Sequence, residues 1–577
     1  MWRLSKHIHV VSPLRVGCYN GWVTIRVDAY LARIIISMRS ITLSTCGLLL
    51  LCATSSRIAQ GQHSEHDLGV IVFPVTCDAS VQAAFSRAVT LLHHMTYPQA
   101  REAFERIEAA EPTCAMAHWG IAMTLFQPLW PTRPNATALQ KGWEAVQHAR
   151  SLAPPTEREQ QFIASAEAFF LEPAGTDYWL RIRRWEKAME QAYASLPDDP
   201  EITAFYALAH LATSTPADIR AHADRAAELL MQVYTSNPGH PGAMHYLVHA
   251  NDVQGREKEL LEITDTYAAI APRNPHALHM PTHIYTRLGD WDAVIEGNIR
   301  AAEAALEHPA GERGEFVWDE FPHAIEYLVY AHLQQGADQA AAEQLKRLHA
   351  MPGLEPTFKT AFHLASTQAR YALERRQWSE AAGITPRQPE HLDWDRFAWP
   401  EAIVWFARGL GAARGGDVVG ARAAVERIGA LEATTRAAGE ELFARHIQTA
   451  RLAVSAWIEH VEGNTAAAVR LMQEAADLES TTPKHAVTPG PTLPAIELLG
   501  DLFMELEQPE EALASYRRSL ERYPGRFNSL LSAARSAATL GDAAAARDYY
   551  QQLVHVAVEG SKRPALLEAA AYLDKHP

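Results

Sequence analysis

Cysteine is scarce in this chain: five residues in 577, of which only Cys77 and Cys114 lie beyond residue 61. That excludes thiolate metal clusters, a Cys-x-x-Cys redox motif and any disulfide framework larger than one bridge. A Gly-x-Ser-x-Gly elbow, a Walker phosphate loop and a dinucleotide-binding glycine fingerprint are also missing, so the common nucleophilic and nucleotide chemistries have no foothold. No apolar run reaches the length of a membrane-spanning helix. Runs of alternating β-branched residues are absent, which argues against a sheet. Positive charge is in deficit, with 52 Lys and Arg against 68 Asp and Glu and a formal net charge of −16. Such a balance repels nucleic acid and anionic membrane and favours cations or cationic ligands.

The first 61 residues differ from the rest. Met38-Arg39 precedes an apolar run from Gly47 to Ala53, followed by Ser and small residues up to Gly61. A charged start, a short apolar core and a small-residue exit are the layout of a secretory signal peptide over 38–61. Residues 1–37 fit neither a signal nor a repeat and are expected to be a non-native extension ahead of Met38. Cys46 and Cys52 lack the small residues that a lipoprotein signal places before its cysteine, so no lipid anchor is expected. An exported, periplasmic or secreted chain would sit in an oxidising compartment, where Cys77 and Cys114 are expected to pair.

What the chain has in quantity is helix. Ala-rich runs punctuated by Gly-Asp and Pro fill a sequence that is 48% hydrophobic and 21% charged. Two stretches, His240-Pro-Gly-Ala-Met-His245-Tyr-Leu-Val-His249 and Asn274-Pro-His-Ala-Leu-His279-Met-Pro-Thr-His283, repeat a His-x-x-x-His pair at a period of 34 residues. That period belongs to the tetratricopeptide helical hairpin, and predicts an all-α, right-handed α-solenoid of stacked hairpins. A first hairpin is predicted at about 82–94 and 98–110. A second opens at Ala115 and is interrupted by a Pro-rich insertion from Pro128 to Pro134. Later turns fall at Gly289-Asp290, Gly336-Ala-Asp338, Gly416-Asp417, Gly463-Asn464 and Gly541-Asp542. The Thr- and Pro-rich stretch 479–494 reads as a linker or lid, dividing a main solenoid, 62–478, from C-terminal hairpins, 495–577.

Several segments exceed what a generic repeat demands: Cys114-Ala-Met-Ala-His-Trp-Gly120, the two His stretches, and Lys484-His-Ala-Val-Thr-Pro-Gly-Pro491. In these the chain resembles a family of exported bacterial tetratricopeptide-repeat proteins, mostly without assigned activity, over roughly residues 70–557. The resemblance implies the solenoid and export but carries over no catalytic residue.

In a hairpin of this kind, positions 2, 5, 9 and 12 of the first helix line the concave face. His245, His249 and Asp252 fall at 5, 9 and 12 of one hairpin; His276, His279 and His283 fall at 2, 5 and 9 of the next. His323, Glu326 and Tyr330 take 2, 5 and 9 of a third copy. Residues four apart share a helix face, and neighbouring helices pack about 8–10 Å apart, so the imidazoles can converge on one ion or hold two. His245, His249, His279, His283 and Glu326 are the metal candidates, for Zn, Cu, Ni or Fe. His276, His323, Tyr330, Asp252 and His485 are expected to line the ligand groove. Pro281, between His279 and His283, removes a helix hydrogen bond and is expected to kink the helix and aim the pair. His93, His94, His118 and His210 read as core or turn histidines, Trp394, Trp399, Trp405 and Phe406 as core, and Arg181-Ile-Arg183-Arg184 as a solvated helix face.

Two functions follow. The leading expectation is a binding scaffold whose acidic, His-lined groove takes a protein, a peptide or a small polar or cationic ligand, with no cofactor required. The alternative is a metal-binding protein or metal-dependent oxidoreductase or hydrolase built on the four-histidine ladder.

Overall fold

Turns at Gly-Asp and Gly-Asn pairs set the hairpins of the middle of the chain. Gly289, Gly336, Gly416, Gly463 and Gly541 all adopt positive φ, between +67° and +83°, the left-handed conformation that ends a helix without a Cβ clash. Asp290, Asp417 and Asp542 then cap the next helix by accepting a backbone N–H three residues on. The computed structural model describes residues 17–18, 21–22, 68–175, 177–259, 261–311 and 314–576.

The chain divides into two compact units, Met1–Ser64 and Glu65–Pro577. In the first, the described residues form a two-stranded antiparallel pair, Gly17–Cys18 with Gly21–Trp22. The rest of the expected extension and all of the expected signal peptide lie outside the described residues. The second unit is an all-α solenoid of helical hairpins. Its first hairpin runs Gln82–His93 and Tyr97–Ala110, within a residue of expectation. Ala115–Met123 follows, and the Pro-rich insertion delays its partner helix to Ala136–Ser151. No described helix is long and apolar enough to cross a membrane.

Close helix approach explains the small residues of the repeat. A Cβ on Gly120 would lie 2.3 Å from the Phe104 ring, and one on Gly500 would lie 2.6 Å from the Tyr516 ring. Successive apolar cores run along the solenoid, and the segment 275–288 contributes to neighbouring ones: Ala277, Met280 and Ile284 to the first, Leu278 to the next. Residues on this segment are therefore held from both sides. As Pro281 requires, the helix breaks at Met280 into Pro275–His279 and Pro281–Leu288. The Thr282 hydroxyl donates to the His279 carbonyl at 2.6 Å, offsetting part of the loss.

One expectation about the surface is corrected. Arg181 is not solvated: it is buried, and its guanidinium donates to the Phe169, Leu171 and Glu172 carbonyls at 2.6–3.0 Å. A helix end with unsatisfied carbonyls recruits a cation. Periodicity assigned the face without seeing that end.

A disulfide joins Cys77 to Cys114 across 37 residues, tying the segment before the first helix to the N-cap of the third. Substituting both cysteines by serine should lower the unfolding free energy by roughly 3–4 kcal/mol, the loop-closure value for that length. Denaturant titration of oxidised and reduced protein checks it; coincident curves would show that the bridge contributes nothing.

Candidate functional site

Four consecutive hairpins bring seven histidines together. His245 and His249 lie on the helix Pro241–Asn251, His276, His279 and His283 on the broken helix 275–288, His323 on Glu320–Gln334 and His363 on Phe358–Glu374. They sort into two triads. In the first, His245 Nε2 stands 3.1 Å from His249 Nε2 and 3.0 Å from His276 Nε2. In the second, His279 Nε2 stands 2.9 Å from His283 Nε2, and His323 joins with its ring centre 4.2 Å from that of His279. Within each triad one nitrogen per residue lies within 4.8 Å of the other two.

The outer nitrogens fix the protons. His245 Nδ1 faces the His93 carbonyl at 2.6 Å and His276 Nδ1 faces the Glu320 carboxylate at 3.3 Å. His279 Nδ1 faces Asn298 Oδ1 at 2.6 Å; the Asn298 amide nitrogen is spent on the Val294 carbonyl. His283 Nδ1 faces Asp252 Oδ2 at 2.8 Å. Each of those partners accepts only, so each Nδ1 carries the proton. His323 reaches the same state through a relay. The Glu326 carboxylate accepts a hydrogen bond from His363 Nδ1, leaving His363 Nε2 to accept from His323 Nδ1 at 3.0 Å. Five rings thus turn an unprotonated Nε2 inward, that of His283 with the Tyr327 hydroxyl 3.4 Å away. This is how metal-ligating histidines are oriented by their outer hydrogen bonds.

Burial reinforces neutrality. Desolvation, with help from neighbouring imidazoles, holds His245, His249, His279 and His323 well below the ordinary imidazole pKa. The same desolvation, added to the nearby Lys484 ammonium, brings His283 down to about 4. Burial pushes Asp252 up, but Lys484, Arg287 and His283 outweigh it and keep that carboxyl well below its usual range.

The histidine cluster His93–Glu201–His240 makes a useful contrast. Glu201 lies 2.7 Å from His93 Nε2 and 3.2 Å from His240 Nε2. There a carboxylate stands between the rings and supplies the counter-charge, with His93 Nε2 hydrogen-bonded to Glu201.

Where an open groove was expected, the rings are enclosed. His245, His276, His279, His283 and His323 are at most 2% exposed, and only His249 keeps intermediate exposure. Two irregular segments cover the helix face. From the Pro-rich insertion, Trp130 packs on His276 and His323 with ring centres 5.2 and 6.4 Å away, and Lys359 Nζ sits 3.5 Å from its face. From the non-helical stretch after Ser480, Lys484 Nζ reaches Asp252 at 2.7 Å. Arg370 binds the carbonyls of Gly490 and Pro491 at 2.9 and 2.7 Å.

The other candidates are placed as follows. Glu326 does not touch the triads; His363, Ser366 and Arg370 take its carboxylate. Asp252 supports His283 and also lines a cavity of about 390 Å³ beside Arg287, Lys484, Tyr330 and Trp399. Tyr330 accepts a hydrogen bond from Arg526 at 3.2 Å. His485 stays apart from the triads, 5.4 Å from the Phe443 ring, with Nδ1 accepting the Val487 N–H. His363, Glu320 and Asn298 are the participants that sequence reasoning missed. His363 falls near the start of the helix Phe358–Glu374, as His276 and His323 do in theirs, but no repeat spacing marks it in the sequence.

Residues 498–562 match the tetratricopeptide repeat family, and repeats of this type suggest a protein-binding scaffold. No curated protein matches the chain. Among solved structures, a human IFIT1 dimer with m7Gppp-AAAA matches at 13% identity and TM-score 0.36, over 77% of this chain and 90% of that one. The APC/C hetero-tetramer Cut9–Hcn1 matches at 12% identity and TM-score 0.31, over 86% and 89%. Neither value is high enough to transfer a ligand or a partner.

Proposed function

We propose that this chain is an exported tetratricopeptide-type solenoid that binds transition-metal ions in its interior, one in each histidine triad. One observation carries the reading: two unprotonated Nε2 atoms face each other at 3.0 Å in the first triad and at 2.9 Å in the second, where the Tyr327 hydroxyl also lies 3.4 Å from His283 Nε2. Acceptor facing acceptor in a dry interior is unfavourable unless a cation lies between. A shared proton serves two nitrogens; three converging nitrogens call for a metal ion. Nitrogens bound at about 2.0–2.1 Å in tetrahedral geometry lie about 3.3 Å apart, close to the spacing present here. Neutral imidazoles without thiolate suit Zn, Cu, Ni or Fe, and three ligands leave a coordination position open for chemistry.

Elemental analysis of untagged protein from its own compartment should find stoichiometric transition metal. Metal-free protein whose melting temperature ignores added Zn(II) or Cu(II) would end this reading.

The repeat match favours a second role that is compatible with the first: the hairpins 495–577 as a surface for a protein or peptide partner. A stoichiometric complex of defined mass in cross-linked extracts of the native compartment is expected; the chain running alone at low salt would count against it. Export is supported by the signal layout and the Cys77–Cys114 pair. N-terminal sequencing of the mature protein should begin near Gln62, and a product beginning at Met1 would overturn it.

A further inference from the structure

The two triads are one motif used twice. Positions 5 and 9 of one hairpin, His245 and His249, meet position 2 of the next, His276. Positions 5 and 9 of that next hairpin, His279 and His283, meet position 2 of the one after, His323. The third use, Glu326 with His363, replaces the ligand pair by a carboxylate and ends the series. Repetition along a solenoid carries each element to its counterpart by one repeat step. At the face of the site that step is short, since His249 and its counterpart His283 have ring centres 6.2 Å apart. His276 and His279, ligands of different triads, are equally close at 6.3 Å.

Charge gives the second constraint. The three carboxylates that support the rings already face cations: Glu320 with Lys359 at 2.6 Å, Asp252 with Lys484 at 2.7 Å, and Glu326 with Arg370 at 3.2 Å. The ligands themselves are neutral imidazoles. Two divalent ions buried here carry charge that these paired groups do not answer, and a buried charge needs a counter-charge.

We infer that the triads form a single dinuclear centre, in which two like metal ions share one small oxyanion as an exogenous bridging ligand. This rests on the metal-binding reading above. Ions separated like the His249 and His283 rings, whose centres are 6.2 Å apart, lie beyond the roughly 3.5–4 Å of a pair bridged by a single oxygen. The bridge therefore spans two oxygen atoms, as in a carboxylate, carbonate or phosphate. Arg287 and Lys484 line a cavity whose wall also holds Asp252, the hydrogen-bond partner of His283, and favour the approach of an anion there.

The test loads full-length protein with Cu(II) and titrates it with inorganic phosphate. Two copper ions per chain are expected, with a half-field electron paramagnetic resonance transition or loss of signal through coupling. One phosphate should bind per chain by calorimetry. His323→Ala, which removes one ligand of the second triad, should hold one copper, give an isolated-ion spectrum, and bind phosphate at least tenfold more weakly. Two coppers with additive isolated-ion spectra, or equal phosphate affinity in the variant, would overturn the dinuclear centre and leave metal binding intact. Absence of copper from the parent protein would overturn both.

Discussion

Replacing His245 and His279 together by alanine should take bound transition metal from stoichiometric to near zero and abolish the stabilisation that the metal confers. These two rings are the hubs of the triads, each with an inner nitrogen 3.1 Å or less from another ligand's. Without them, each ion is left with two imidazoles. A ligand present at a thousand times its dissociation constant stabilises the folded state by about 4 kcal/mol, which is the size of the effect at stake. Both side chains are buried, so the variant will also lose stability without metal. The informative quantity is the difference between loaded and metal-free melting temperatures within each protein. A variant that keeps stoichiometric metal would move the site elsewhere.

The repeat was legible because 34-residue spacing is written directly into the sequence, and its turns are marked by Gly-Asp pairs that the backbone needs for positive φ. The ladder His245, His249, His279 and His283 followed from the same spacing. Its partition did not. Residues at the same repeat position, such as His245 and His279, are equivalent by period yet belong to different triads. Contact runs diagonally, from positions 5 and 9 of one helix to position 2 of the next, and that stagger is a property of packing. It reassigns His276 and His323 from groove lining to the triads and moves Glu326 out of them. The spacing of the diagonal also drifts: His323 lies 44 residues beyond His279, because the turn after Leu306 is long. Enclosure was hidden for another reason. Trp130 and Lys484 reach the site from segments distant in sequence, and no local pattern announces where an irregular segment will settle.

Breaking the relay at His363 should separate positioning from ligation. His363 coordinates nothing in this arrangement; it accepts a hydrogen bond from His323 Nδ1 and donates one to Glu326. Phenylalanine at 363 removes the acceptor, freeing His323 to rotate or to change tautomer. Loss of such outer partners weakens metal binding by about 10–100-fold. The loss should fall on one of the two ions only, because the first triad takes its support from the His93 carbonyl and Glu320. Chelator competition resolving two affinities would show one unchanged and one weakened. His363→Gln offers an amide oxygen to the same proton and should recover much of the lost affinity. Attacking Glu326 instead is the blunter experiment. Its removal leaves Arg370 buried without its carboxylate, at a cost of about 3–5 kcal/mol, so unfolding would mask any effect on the metal. Equal affinities in the Phe and Gln variants would mean that His363 only fills space, and that His323 is held by the rings packed around it.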